Sequence, residues 1–203
     1  IVQSELGLSN SELGLLLGAF FWSYMAMQFV VGWLVDRFEV TYVIVVGYAL
    51  WTVSTGVTGL LHGFAMLLGI RLLLGIGESV AFPCCSKILA YNLPEQERGF
   101  ANGLLMAGIR LGPAIGTFAA GPMIVRYGWR PVFIALGLIG LLWIPAWLKW
   151  MPERKHAQSG AYAGPDTLAI ISQRSFWGAS IGHISVNYLF YFMLTWLPTY
   201  LVR

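Results

Sequence analysis

Charge is what this sequence has least of: Asp, Glu, Lys and Arg make up 10% of its 203 residues, against about 25% in soluble domains. Apolar residues reach 58% and the mean hydropathy is +0.71, which leaves no room for a sizeable soluble domain. The net charge of +3 is too small and too dispersed for a nucleic-acid footprint, so no such partner is expected. Cysteine is scarce as well. Cys84 and Cys85 are neighbours on one expected helix, which suits neither a structural disulfide nor a metal site; they read as small apolar packing residues. The sequence has no nucleotide-binding loop, metal-ligand spacing or nucleophile constellation, so no cofactor, metal or enzymatic chemistry is expected. The opening IVQSELGLSNSELG has no starting methionine, basic n-region or cleavage site. That excludes a signal peptide, and the stretch is expected to be a loop reached from an upstream helix.

What the chain does have is a series of apolar segments of about 20 residues, the length a helix needs to cross a hydrocarbon core of about 30 Å. An all-α membrane protein is expected. Ser9 and Glu12 form an S-x-x-E capping box, predicting a helix from near Ser11 to Val35 that Asp36 and Arg37 end. Further spans are predicted over 41–61, 64–90, 99–125 and 131–151, joined by the LHGF turn, a loop at 94–98 and the RYGWR turn. A polar linker follows, with a short amphipathic piece over 167–173, and then a last apolar segment that runs to the end. Arg37, then Lys87 and Arg98, then Arg154, Lys155 and Arg174 fall in alternate connections, which the positive-inside rule assigns to the cytoplasm. The first two opposite connections hold Glu5, Glu12 and His62 with no Lys or Arg, although Arg126 and Arg130 count the other way.

The stretch RLLLGIGESVAF places Arg71 and Glu78 inside an apolar run. Each charge costs roughly 2.5 to 3.5 kcal/mol on insertion scales unless it meets a partner or a water-filled cavity. Seven residues apart, they share a helix face about 10 Å from each other along the axis, so they cannot pair directly. Desolvation and a nearby cation would act in opposite directions on the proton affinity of Glu78, a balance that a proton carrier requires. Arg110 is expected at the same depth as Glu78, about 18 Å from the cytoplasmic ends of their helices. There it can attract a carboxylate, or form a permanent ion pair with Glu78. Tyr24 and Gln28 lie one turn apart on the first span, and Asn187, Tyr188 and Tyr191 offer polar groups near the middle of the last segment. His183 reads as a packed or water-bonded residue. Gly108, Gly112 and Gly116 form a small-residue stripe suited to close helix approach, with Pro113 inside it.

Two short patterns resemble the major facilitator superfamily: GWLVDRF matches its G-x-x-x-D-R loop signature and RLLLGIGES its R-x-x-x-G-x-G signature. The ordered set RLLLGIGESVAFP, LPEQERGFANG, YGWRPVF and LTWLPTYL resembles the anion:cation symporter family within it. Members include galactonate, glucarate, hexuronate and phthalate permeases and the sialin branch. The resemblance implies two six-helix bundles with a substrate site between them. Residues 1–151 would hold the family's helices two to six, 152–174 the central cytoplasmic loop and 175–203 the seventh helix. The chain would begin just after the first helix.

The resemblance further implies a proton-coupled importer of a small organic anion, a sugar acid such as a hexuronate, aldonate or aldarate. Its partners would be that anion, protons and the lipid bilayer, and it would be a multi-pass monomer of the bacterial inner membrane. Glu78 matches the proton-coupling glutamate, Arg71 the arginine on its outward side and Tyr24 a substrate-contacting tyrosine. Gly32, Asp36 and Arg37 match a gating motif. Here Glu39, Val40 and Thr41 stand where the family usually has glycine and basic residues, and Ile109 stands where the galactonate branch has glutamine. Two rivals stay open: a drug:proton antiporter, from the G-x-x-x-G-P-x-x-G pattern at 108–116, and a non-transporting scaffold.

Overall fold

The computed structural model describes residues 2–151, 167–193 and 197. Among the described residues ten helices follow in order: α1 (Val2–Glu5), α2 (Asn10–Arg37), α3 (Val40–Thr58), α4 (Phe64–Glu78), α5 (Ala81–Asn92), α6 (Glu95–Tyr127), α7 (Trp129–Leu141), α8 (Trp143–Trp150), α9 (Thr167–Ile171) and α10 (Arg174–Tyr191). They fall into two compact units, Ile1–Pro152 with α1 to α8 and Glu153–Arg203 with α9 and α10. Linker residues 152–166 and the LTWLPTYL motif, apart from Leu197, lie outside the described residues.

Local chemistry sets the helix boundaries. The capping box forms as expected: Ser9 N–H donates to Glu12 Oε2 at 2.8 Å and Glu12 N–H donates to Ser9 Oγ at 3.2 Å. The opening stretch is not simply a loop, because residues 2–5 make a helical turn that Gly7, at φ 61°, reverses into α2. The sequence of α3, VTYVIVVGYALWTVSTGVT, is rich in β-branched residues that favour strands in water. It is helical because a lone segment in hydrocarbon can satisfy its backbone only within itself.

The predicted 64–90 span is broken at Ser79 and Val80, and the 131–151 span at Leu142. A proline lies shortly after each break, although α6 continues unbroken through Pro113 and Pro122. Pro83 has no N–H to give the Ser79 carbonyl and Pro145 none for Leu141, and each ring crowds the carbonyl four residues back. Ser79 adds to the first by donating its hydroxyl to the Ile76 carbonyl at 2.7 Å. Chain direction nevertheless continues, so 64–92 and 129–150 each remain long and apolar enough to cross a membrane, as do α2, α3 and α6. Between α6 and α7, Gly128 turns the chain at φ 82°, a conformation that excludes other residues on steric grounds.

Packing within the first unit follows small residues. Gly77 of α4 sits on α3, where a Cβ would lie 2.5 Å from Trp51 N and 2.8 Å from Gly47 O. Gly137 of α7 meets Gly56 of α3, where a Cβ would lie 2.5 Å from the Gly56 Cα. Such contacts let backbones approach where lipid tails offer no hydrophobic drive between helices. The 108, 112, 116 stripe does not do this: a Cβ added at any of those three glycines would meet no other helix within 4 Å among the described residues. Two apolar clusters close the ends. Val31, Val35, Val40, Ile44, Val80 and Cys84 form one, which bears out the packing role of Cys84, and Leu8, Leu16 and Leu67 form the other. Most remaining large apolar side chains are exposed, as suits surfaces that face hydrocarbon.

Gly77→Val is expected to destabilise the protein by about 1–3 kcal/mol or more through overpacking, read as a lower thermal unfolding midpoint of the full-length protein in detergent. Gly99→Ala, where a Cβ has open space, should stay within about 0.5 kcal/mol. Equal effects would contradict the packing described.

Candidate functional site

Two features of α4 place its charges. Gly75 faces α2, where a Cβ would come 2.2 Å from Ser23 Oγ and 2.4 Å from Phe20 O, while Gly77 faces α3. At about 100° per residue, Arg71 and Glu78 project within about 20° of each other, beside the line that meets α2 and away from α3. Both side chains are half-buried. Among the described residues neither makes an ion pair or hydrogen bond; the two ion pairs seen are Lys87–Asp36 and Arg130–Glu5. The expectation that Arg71 and Glu78 do not pair with each other holds, and Glu78 does not pair with Arg110 either.

The same glycine brings Tyr24 to this level. A Cβ on Gly75 would stand 3.1 Å from Tyr24 N, so the backbone of Tyr24 on α2 lies against α4 at the level between Arg71 and Glu78. Tyr24 and Gln28 are half-buried, and Trp22 is exposed. Arg110 is exposed on α6, 15 residues after Glu95, and Glu78 stands 14 residues before Asn92. Asn187, Tyr188 and Tyr191 lie on α10 in the second unit. There Asn187 Nδ2 donates to the His183 carbonyl at 2.9 Å, and both tyrosines are exposed.

At the other end of α2 the gating motif resolves into separate contacts. Gly32 is open, Arg37 lies 5.7 Å over the Trp33 ring, and Asp36 Oδ1 accepts from Lys87 Nζ at 3.3 Å. Lys87 Nζ also donates to the Val35 carbonyl and sits 5.7 Å over Tyr91. A cation in that position caps the carbonyl end of α2 and favours its dipole. Nearby, Arg98 does the same for α5, donating to the Ala90 carbonyl at 2.6 Å and the Leu93 carbonyl at 3.1 Å. Sequence reasoning used Lys87 only to orient the chain. It missed Lys87 as the partner of Asp36 because 51 residues separate them; the available signal was a lysine near the end of a helix and a motif followed by Glu39, Val40 and Thr41 in place of the usual basic residues.

Lys87→Ala should lower thermal stability more than Asp36→Ala, since it gives up the Val35 carbonyl as well as the carboxylate. A double-mutant cycle should yield a coupling of about 0.2–1 kcal/mol for this exposed pair. A coupling of zero would remove the pair from the account.

Against known proteins, the Major Facilitator Superfamily profile matches residues 1–203. A probable sulfoacetate transporter of Cupriavidus necator is 33% identical over 99% of this chain and 51% of its own length. A probable L-galactonate transporter of Escherichia coli is 29% identical over 98% of this chain and 48% of its own. The hexuronate transporter of Bacillus subtilis is 29% identical over 99% and 50%. The chain therefore spans about half the length of these relatives. With a match along its whole length and, among the described residues, five helices long and apolar enough to cross a bilayer, the chain belongs to the Major Facilitator Superfamily, as part of an integral, multi-pass, all-α membrane protein of a family of transporters and not of enzymes.

Proposed function

We propose that the full-length protein imports a small organic anion, a sugar acid of the hexuronate, aldonate or aldarate class, together with a proton. The observation that carries this is Arg71 and Glu78, held half-buried within an apolar span on one side of α4 without a partner among the described residues. Charges kept at that depth need partners, and a proton and an anion are partners that come and go. Relatives whose names specify sulfoacetate, L-galactonate and hexuronate support an anionic cargo.

In this reading Glu78 takes the proton, and Arg71, on its outward side, keeps that proton exchangeable. Arg110 holds a substrate carboxylate through its planar fork of donors. Tyr24 and Gln28 contact the substrate from α2. Asn187, Tyr188 and Tyr191 of α10 are the residues proposed to partner substrate hydroxyls. A protonated Glu78 and a bound anion together leave the cavity near neutral, which lets two bundles rock and expose the site inward. Gly32, Asp36 and Arg37 latch the inward gate, with Lys87 as a further basic member. The protein works as a monomer in the bacterial inner membrane.

Uptake of radiolabelled sugar acids by the full-length protein in proteoliposomes should rise several-fold under an inward proton gradient. Glu78→Gln should abolish that rise yet leave counterflow exchange of the anion. Loss of both would remove the coupling role from Glu78, and gradient-driven efflux of a cationic dye with no anion uptake would install the antiporter instead.

A further inference from the structure

Three connections meet at the end of the first unit where α2, α4 and α7 start and α3 and α6 finish. One carboxylate joins them. Glu5, in the turn before α2, accepts on Oε2 from Trp129 Nε1 at 2.6 Å and on Oε1 from Arg130 Nε at 3.0 Å. The far side of the same guanidinium donates from Nη1 to the Leu61 carbonyl at 2.6 Å and the Gly59 carbonyl at 3.3 Å. Those carbonyls sit just past α3, where no continuing helix supplies donors. The guanidinium also lies 4.5 Å over the Trp129 ring, and Trp129 is 2% exposed.

The surrounding sequence delivers each piece. Gly7 reverses the chain, and Gln3 Nε2 donates to the Leu8 carbonyl at 3.3 Å and to Asn10 Oδ1 at 2.9 Å, which holds the turn that carries Glu5. Leu8 is buried with Leu16 and Leu67, beside Leu61 and Phe64 of the α3–α4 connection. Gly59 admits no side chain, since a Cβ would lie 2.5 Å from the Arg130 carbonyl. The left-handed Gly128 starts α7 so that Trp129 and Arg130 are its first two residues.

We propose that Glu5, Trp129 and Arg130 form a standing clasp that binds the segment before α2, the α3–α4 connection and the α6–α7 turn into one rigid cap. Each member does a separate job. Glu5 gives the nearly closed indole N–H its acceptor, Arg130 bridges that carboxylate to the open end of α3, and Trp129 supplies the face on which the guanidinium rests.

The clasp does not act as a pH switch over the neutral range. The Trp129 hydrogen bond first, and the Arg130 hydrogen bond next, hold the Glu5 carboxyl below its usual range, with Arg130 and His62 the charged and titratable groups that act on it. A carboxyl lowered on folding contributes stability above its unfolded pKa and loses it only as pH falls through the lower folded value. Opening therefore needs acid below the ordinary carboxylate range. The cap stays shut between pH 5 and 8.

Hydrogen–deuterium exchange on the full-length protein in lipid nanodiscs tests this independently of any transported substrate. In the unaltered protein, amides of residues 3–8 and 59–63 should show the same protection at pH 5 and pH 8 once intrinsic rates are removed. Glu5→Gln should speed exchange at least ten-fold in both segments, although they lie more than fifty residues apart. Trp129→Phe, which removes the N–H donor together with part of the indole face on which the guanidinium rests, should speed residues 3–8 in the same direction and serves if Glu5→Gln does not fold. Faster exchange confined to 3–8 in Glu5→Gln, unchanged exchange in either variant, or protection that falls at pH 5 in the unaltered protein would each overturn the clasp.

Discussion

In hydrocarbon a backbone N–H or C=O with no partner costs several kcal/mol, and most of this structure follows from meeting that demand. It makes α3 helical against the β-branched bias of its residues. It also explains where the cations at the helix ends go. Lys87 takes the Val35 carbonyl of α2, Arg98 the Ala90 and Leu93 carbonyls of α5, and Arg130 the Gly59 and Leu61 carbonyls beyond α3. Each basic residue reaches a carbonyl end, the site where a helix presents acceptors without donors and a partial negative charge.

Within the spans the same demand is met by proximity. Lipid does not squeeze helices together as water does, so contact depends on backbones that can approach closely. The segment RLLLGIGE of α4 combines two tasks in about two turns. Gly75 and Gly77 dock it on α2 and α3, and the directions those glycines occupy leave Arg71 and Glu78 side by side on a third. The break at Ser79 and Val80 lies immediately after Glu78, shortly before Pro83, so the acid stands at the end of a regular helix.

The two ends of the first unit are held differently. At the Lys87 end the ion pair is open, with the Asp36 side chain 82% exposed, and the apolar cluster around Val31 and Val35 lies beneath it. At the Arg130 end a buried indole, a carboxylate and a guanidinium interlock over a smaller cluster around Leu8. Exposed single pairs form and break at little cost, whereas interlocked groups around a closed donor resist separation.

Much of the local design is legible in the sequence. Ser9 and Glu12 announce the start of α2, Asp36 and Arg37 its end, and Phe64 the start of α4, because capping and hydropathy act over a few residues. The membrane class, the presence of Arg71 and Glu78 inside a span and the family patterns are equally local. Pro83 and Pro145 were visible too, but so were Pro113 and Pro122, through which α6 runs unbroken, so a proline alone did not say which span breaks. What the sequence left undecided is which residues meet. The 108, 112, 116 stripe has the spacing of a helix contact and has none among the described residues, while Gly47 with Gly77 and Gly56 with Gly137 do the packing. Lys87 with Asp36, and Glu5 with Trp129 and Arg130, are joined across 51 to 125 residues. Such meetings depend on how each helix is rotated and set in register against its neighbours, and that is decided by the sum of all contacts along the interface rather than by any stretch of chain alone.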